Sequence, residues 1–215
     1  MRGYEIVSLD DLGKYPRPQD DGPLLLPLRL RLDLRAFGAN AWTAAVGDHV
    51  VPRHEEDSGH EELYVVVRGR ATFTVGERTF DAPAGTLVHV EPGTMREAVA
   101  EEPDTVVLAV GGTPGEAFEA FGWEDVVVAF GLAGSGRVEE GRTALHDAAA
   151  RRPESWEHPY NFACYEARFG DLDAAFGYLR EAIASAPPEQ LRGYLEADDD
   201  LARLRDDPRW KEIAG

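Results

Sequence analysis

Cysteine is almost missing from this chain: Cys164 is the one thiol in 215 residues, so no disulfide can close within it. That points to a reducing, cytoplasmic setting. Cationic side chains are also scarce, with 22 Lys and Arg against 40 Asp and Glu and a formal net charge of −18. Such a surface repels a phosphate backbone, which argues against nucleic acid as a partner. No basic amphipathic stretch suits an anionic membrane surface. No apolar run approaches the ~20 residues of a membrane span. The opening MRGYEIVSLDD lacks an apolar signal core, and the Pro23–Pro27 cluster is short and bracketed by prolines. There is no Gly-x-Ser-x-Gly elbow, no phosphate loop and no dinucleotide fingerprint.

What the chain does have is a run of alternating apolar and polar residues from Glu61 to Gly93, broken at Gly69, Gly76 and Gly85 and ending in Pro92-Gly93. Period-two alternation turns one side of each segment toward a core, and the glycines fall where the chain must reverse. Short strands joined this way make an antiparallel sheet that is closed or sandwiched, with an interior able to hold one small ligand. Strand parity places Glu62 and Tyr64 on the inner face and Glu61 and Leu63 on the outer one.

Gly47, His54, Glu62 and Gly69 follow the order of a glycine, a histidine, a glutamate and, after a six-residue gap, a second glycine. Gly85, Pro92 and Gly93 follow as a second group, with Arg96 three residues beyond. In this the sequence resembles the cupin family over about residues 35–115. The resemblance implies an antiparallel β-barrel of jelly-roll type. It also implies a divalent transition metal, for which His54, His60 and Glu62 are the candidate ligands, two imidazoles and a carboxylate. Metal-binding cupins separate their two histidines by one residue, whereas here residues 55–59 intervene between His54 and His60. Counting back from Glu62 puts Asp57 or Ser58 at the second ligand position instead.

The position where the family carries its second-motif histidine holds Arg96. A guanidinium is always charged and cannot ligate a cation. Turned inward, it would pair with Glu62. Glu62, Tyr64, Arg96 and His89 are therefore the candidate ligand-binding residues, His89 sharing a strand face with Leu87 and Glu91. His49, His146 and His158 have no acidic or histidine neighbours at useful spacing and read as surface residues. Cys164 reads as a buried, inert thiol.

After the breaker cluster Gly111–Gly115 the chain turns alanine-rich and helical in its periodicity. Positions 34 apart match: Ala129 with Ala163, Gly136 with Gly170, Leu145 with Leu179, Ala148 with Ala182, Pro153 with Pro187. That period, with Phe162, Ala163, Gly170, Ala175, Leu179 and Ala182 in place, resembles a tetratricopeptide repeat.

The expected fold is thus α+β, a β-barrel with an N-terminal extension over residues 1–115 and tetratricopeptide-like helical hairpins with a capping helix over 116–215. Two hairpins bury little surface alone, so Leu145 and Ala148 are expected to share a core with the barrel, with Trp123 and Trp156 at the seam. A homodimer is expected, since small cupins commonly pair through edge strands. Three functions fit: a small-molecule-binding protein of sensory or accessory role, a metal-dependent oxygenase or isomerase, and an adaptor holding a protein partner on its helical repeat.

Overall fold

The computed structural model describes residues 4–17, 22–56, 59–118, 122–153 and 155–213. The chain divides into two compact units, 1–124 and 125–215, a boundary later than the glycine cluster alone suggests.

Among its described residues the first unit contains nine strands: β1 (Leu24–Leu26), β2 (Gly38–Thr43), β3 (His49–His54), β4 (Glu61–Arg68), β5 (Arg70–Val75), β6 (Arg78–Pro83), β7 (Leu87–Val90), β8 (Arg96–Ala100) and β9 (Val106–Gly112), with a short helix α1 (Leu28–Leu32). They form two antiparallel sheets, β1-β2-β9-β4-β7 and β3-β8-β5-β6. No ladder joins the two sheets among the described residues, so the expected closed barrel is instead a pair of separate sheets around a common core. That core takes Tyr64, Val66, Val88, Val90 and Val107 from the first sheet and Val50, Val51, Ala71, Phe73, Ala82, Ala98 and Ala100 from the second. Tyr64 and Phe73 meet across it with ring centroids 5.8 Å apart.

Glycine is required at two of the reversals. Gly69, between β4 and β5, has φ +71°, and a Cβ there would lie 2.4 Å from Thr105 Oγ1. Gly76 turns β5 into β6 with φ +58°. The N-terminal residues extend the first sheet within the same chain: β1 pairs with β2, and Leu12, Leu26, Ala41 and Val106 form a small second cluster.

The second unit is helical. Helix α2 (Trp123–Gly134) begins in the first unit and leads into it. It is followed by α3 (Val138–Arg151), α4 (Glu157–Phe169), α5 (Leu172–Ser185), α6 (Pro188–Ala197), α7 (Ala202–Arg205) and α8 (Trp210–Ile213). The 34-residue period is visible in these bounds: 123 and 157 open α2 and α4, 138 and 172 open α3 and α5, and 151 and 185 close them. Ala129, Ala163, Leu145, Leu179, Ala148 and Ala182 are all buried. Leu145 lies in the helical cluster with Phe130, Ala163, Phe176 and Leu179. Trp156 packs near Tyr160 and Tyr194.

Gly141, a poor helix former by propensity, sits inside α3 for a steric reason: a Cβ there would come within 2.4 Å of both the Ala129 carbonyl and the Tyr165 hydroxyl. His158 is not a surface residue; it is buried, and its Nε2 donates to the Arg152 carbonyl at 2.6 Å. Cys164 is buried among Tyr160 and Asp198, and burial raises its thiol well above the ordinary range. No described helix is long and apolar enough to cross a membrane.

Candidate functional site

Strand register sets out the site. Across β2, β9, β4 and β7, Gly38, Gly111, Glu62 and Val90 stand in one row, and Asn40, Ala109, Tyr64 and Val88 in the next but one. Residues opposite one another on neighbouring strands share a face. The inner face therefore carries Glu62 and Tyr64 on β4, Gly111 and Ala109 opposite them on the middle strand β9, and Asn40 and Trp42 on β2. The small residues open a cavity of about 550 Å³, lined by Trp42, Tyr64, Phe118 and Trp123, by Asn40 and Glu124, and by His54, Glu56, His60 and Glu62. Trp42 and Trp123 stack in near-parallel planes 5.8 Å apart.

At one side of the cavity Glu62 is held by groups from both sheets. Tyr64 donates its hydroxyl to Glu62 Oε2 at 2.5 Å. Arg96, on β8 and wholly buried, donates Nη2 to the same oxygen at 2.6 Å and Nε at 3.1 Å, and donates Nη1 to the Thr94 carbonyl at 2.9 Å. His54, opposite Arg96 in the β3–β8 ladder, donates Nδ1–H to the Pro52 carbonyl at 2.7 Å and turns Nε2 toward Glu62 Oε2 at 3.8 Å. The expected Arg96–Glu62 pair is thus present, and it ties the two sheets together.

Burial by itself would raise the Glu62 pKa; the nearby His54 imidazole, the Tyr64 hydrogen bond and the Arg96 charge outweigh it and bring the carboxyl down to about 2. The same carboxylate raises His54 through their direct interaction. Burial, then the Glu62 charge, pushes the Tyr64 phenol up.

Further along the wall lies a second buried ionic group. Arg29 and Glu124 form an ion pair, and Asn40 donates Nδ2 to Glu124 Oε1 at 2.6 Å. Because an ionised carboxylate only accepts hydrogen bonds, Glu124 dictates which way the Asn40 amide points. Asn40 Oδ1 is the one buried side-chain polar atom without a hydrogen-bond partner among the described residues.

Of the metal ligands expected from sequence, His54 and Glu62 come together, and the third member of their cluster is Glu56 rather than His60. Each of the three offers one ligand atom, all within 4.8 Å of one another. His60 lines the same cavity, its ring 6.0 Å from that of Phe118. Asp57 and Ser58 lie outside the described residues. His89 is not brought to the site: it stands opposite Leu63, on the outer face, exposed and 3.3 Å from Glu61. The spacing His54-x-Glu56 was the available signal for Glu56, since residues two apart on an extended segment face the same way. Asn40, Trp42, Phe118, Trp123 and Glu124 had no comparable sequence signal.

The divalent metal implied by the resemblance fits this donor set poorly. Glu62 already accepts from Tyr64 and Arg96. Repulsion between a guanidinium and a dication a few ångströms away is on the order of 5–10 kcal/mol at an effective dielectric of about 20. Two carboxylates and one imidazole with a unit positive charge fixed beside them attract such an ion less than the same donors would without it.

Comparison with known proteins bears on the fold. A search of curated protein sequences gives no significant match. Among solved structures, the chain is similar to KdgF from Halomonas sp., at 18% identity over 47% of this chain and 88% of that one, with a TM-score of 0.40. It is similar to a conserved protein with a double-stranded β-helix domain from Klebsiella pneumoniae, at 21% identity over 54% and 94% of the two chains, TM-score 0.38. A cupin protein from Bacteroides fragilis aligns at 23% identity over 52% and 91%, TM-score 0.33. The family model described as the cupin domain matches residues 41–111, the stretch that contributes His54, Glu56, Glu62, Tyr64 and Arg96.

Proposed function

We propose that the first unit is a binding module for a small organic molecule, acting in a sensory or accessory role. The observation that carries this reading is the cavity itself. It is of ligand size, floored by Gly38, Ala109 and Gly111, walled by aromatic rings and supplied with a few polar groups held in place by the protein. Glu62 and Tyr64 supply fixed polarity on one wall, and Arg96 acts from behind them rather than on the ligand. A fragment library screened by saturation-transfer NMR tests the reading. Fragments should bind the native protein, and Ala109→Leu, which fills the cavity floor, should abolish the signals while leaving the melting temperature within a few degrees of the parent. Binding unaffected by Ala109→Leu would place the ligand elsewhere and defeat the proposal.

A metal-dependent oxygenase or isomerase is the second reading, favoured by the His54–Glu56–Glu62 cluster and opposed by Arg96. In the second unit, helix bounds that recur at 34 residues support a tetratricopeptide-like hairpin pair, and with it the adaptor reading, in which that unit holds a protein partner. A homodimer completes the proposal; light scattering on the full chain tests it.

A further inference from the structure

We propose that Arg96 is the resident cation of the His54–Glu56–Glu62 cluster, so that this carboxylate-rich site takes no divalent metal and the identity of residue 96 alone decides whether it can. The geometry supplies the argument. Three side chains place ligand atoms within 4.8 Å of one another, a spacing at which they could hold a cation. The guanidinium of a wholly buried arginine already stands there, 2.6 Å from a Glu62 oxygen. Every Arg96 nitrogen has a partner in Glu62, Tyr64 or the Thr94 carbonyl. The side chain is built into the site and has no solvent to swing into.

A charge placed this way does part of a metal's work. It keeps Glu62 ionised and orients it. It offers no open coordination position, so a ligand meets the carboxylate wall without a Lewis acid behind it. Residue 96 lies opposite His54 in the β3–β8 ladder. An imidazole at that position would add a ligand and remove the charge in one step, whereas a methionine would remove the charge alone.

The full-length protein, stripped with a chelator and desalted, is titrated with Ni²⁺, Mn²⁺ and Zn²⁺ and read by equilibrium dialysis with elemental analysis. The native protein should show no saturable uptake below about 100 µM free ion that depends on Glu56 or Glu62. Arg96→His should bind Ni²⁺ at least roughly tenfold more tightly than the native protein, and Glu56→Gln in that background should remove the gain. Arg96→Met should show a smaller gain. Saturable one-ion binding by the native protein that is lost in Glu56→Gln or Glu62→Gln overturns the proposal, as does a folded Arg96→His and a folded Arg96→Met that both fail to gain. Native binding that both glutamine variants leave intact is surface uptake and leaves the proposal standing. Should neither Arg96 variant fold, the native titration decides the matter.

Discussion

The two units solve the problem of a stable interior in opposite ways. The sheet unit buries charge: Arg96, Glu62 and His54 meet at one wall of a cavity, and Arg29 with Glu124 at another. The helical unit fills its centre with small and aromatic groups, Ala129, Ala163, Ala167, Ala175 and Ala182 around Phe130, Tyr165 and Phe176. Its main buried carboxylate, Glu166, is held by Arg142 beside the turn at Gly170. Small residues let helices approach closely and leave little free volume. A polar network over a glycine floor does the reverse and holds a cavity open. The lesson is that the cavity here goes with a polar network on its walls, whereas the close-packed helical centre keeps its few buried carboxylates, Asp125 and Glu166, in ion pairs.

The contrast is most exposed at Arg96. Arg96→Ala should destabilise the protein by about 3–5 kcal/mol, because Glu62 keeps its charge and loses its partner. The double change Arg96→Met with Glu62→Leu should cost less than Arg96→Ala alone, since it removes both charges. Chemical denaturation monitored by tryptophan fluorescence measures both. If the double variant is the weaker of the two, the polar wall is not held by this pair.

Acid should separate the units next. Glu62 has its pKa depressed from the ordinary carboxylate range to about 2 in the folded chain. Its stabilising contribution is therefore complete above the unfolded value and lost as pH falls through roughly 4.5 toward 2. It is worth on the order of 3 kcal/mol. His54 is raised, so its contribution has the opposite sense: present below the usual imidazole range and lost as pH rises beyond it. Glu62→Gln should flatten the acid limb of the stability profile. An acid limb of unchanged steepness would mean that other carboxylates drive it.

The smallest effects fall in the helical unit and have opposite signs. Gly141→Ala should destabilise by about 1–3 kcal/mol despite the better helix propensity of alanine, because its Cβ meets a backbone carbonyl. Gly177→Ala, in α5 with open space around it, should stabilise by about 0.5–1 kcal/mol. Thermal melts of the two variants check the pair; equal shifts would show that Gly141 is not a packing requirement.

Local pattern carried much of this a long way. Period-two alternation around Glu62 and Tyr64 predicts which side of β4 faces inward, and Glu62 and Tyr64 both reach the cavity. Identities 34 residues apart predict two helical hairpins, and the helices recur at that interval. Both signals are short-range, because strand parity and helix period act on neighbours and survive in any compact fold. The same reading went astray at His89, which is outside because β7 pairs with β4 in a register that matches it to Leu63. It also closed a barrel that the hydrogen-bond ladders leave as two sheets.

Composition and spacing in the chain thus settled the strand-rich and helix-rich halves, the inward face of β4 and the presence of an arginine where the resemblance implies a histidine. Folding alone brought His54 and Glu56 to Glu62, joined Asn40 to Glu124 across 84 residues of sequence, set Trp123 on Trp42, and placed every Arg96 nitrogen on a partner. Those contacts depend on register between strands distant in sequence and on side chains meeting across a core. No local periodicity encodes such meetings; they exist only once loop closure and packing have brought the segments together.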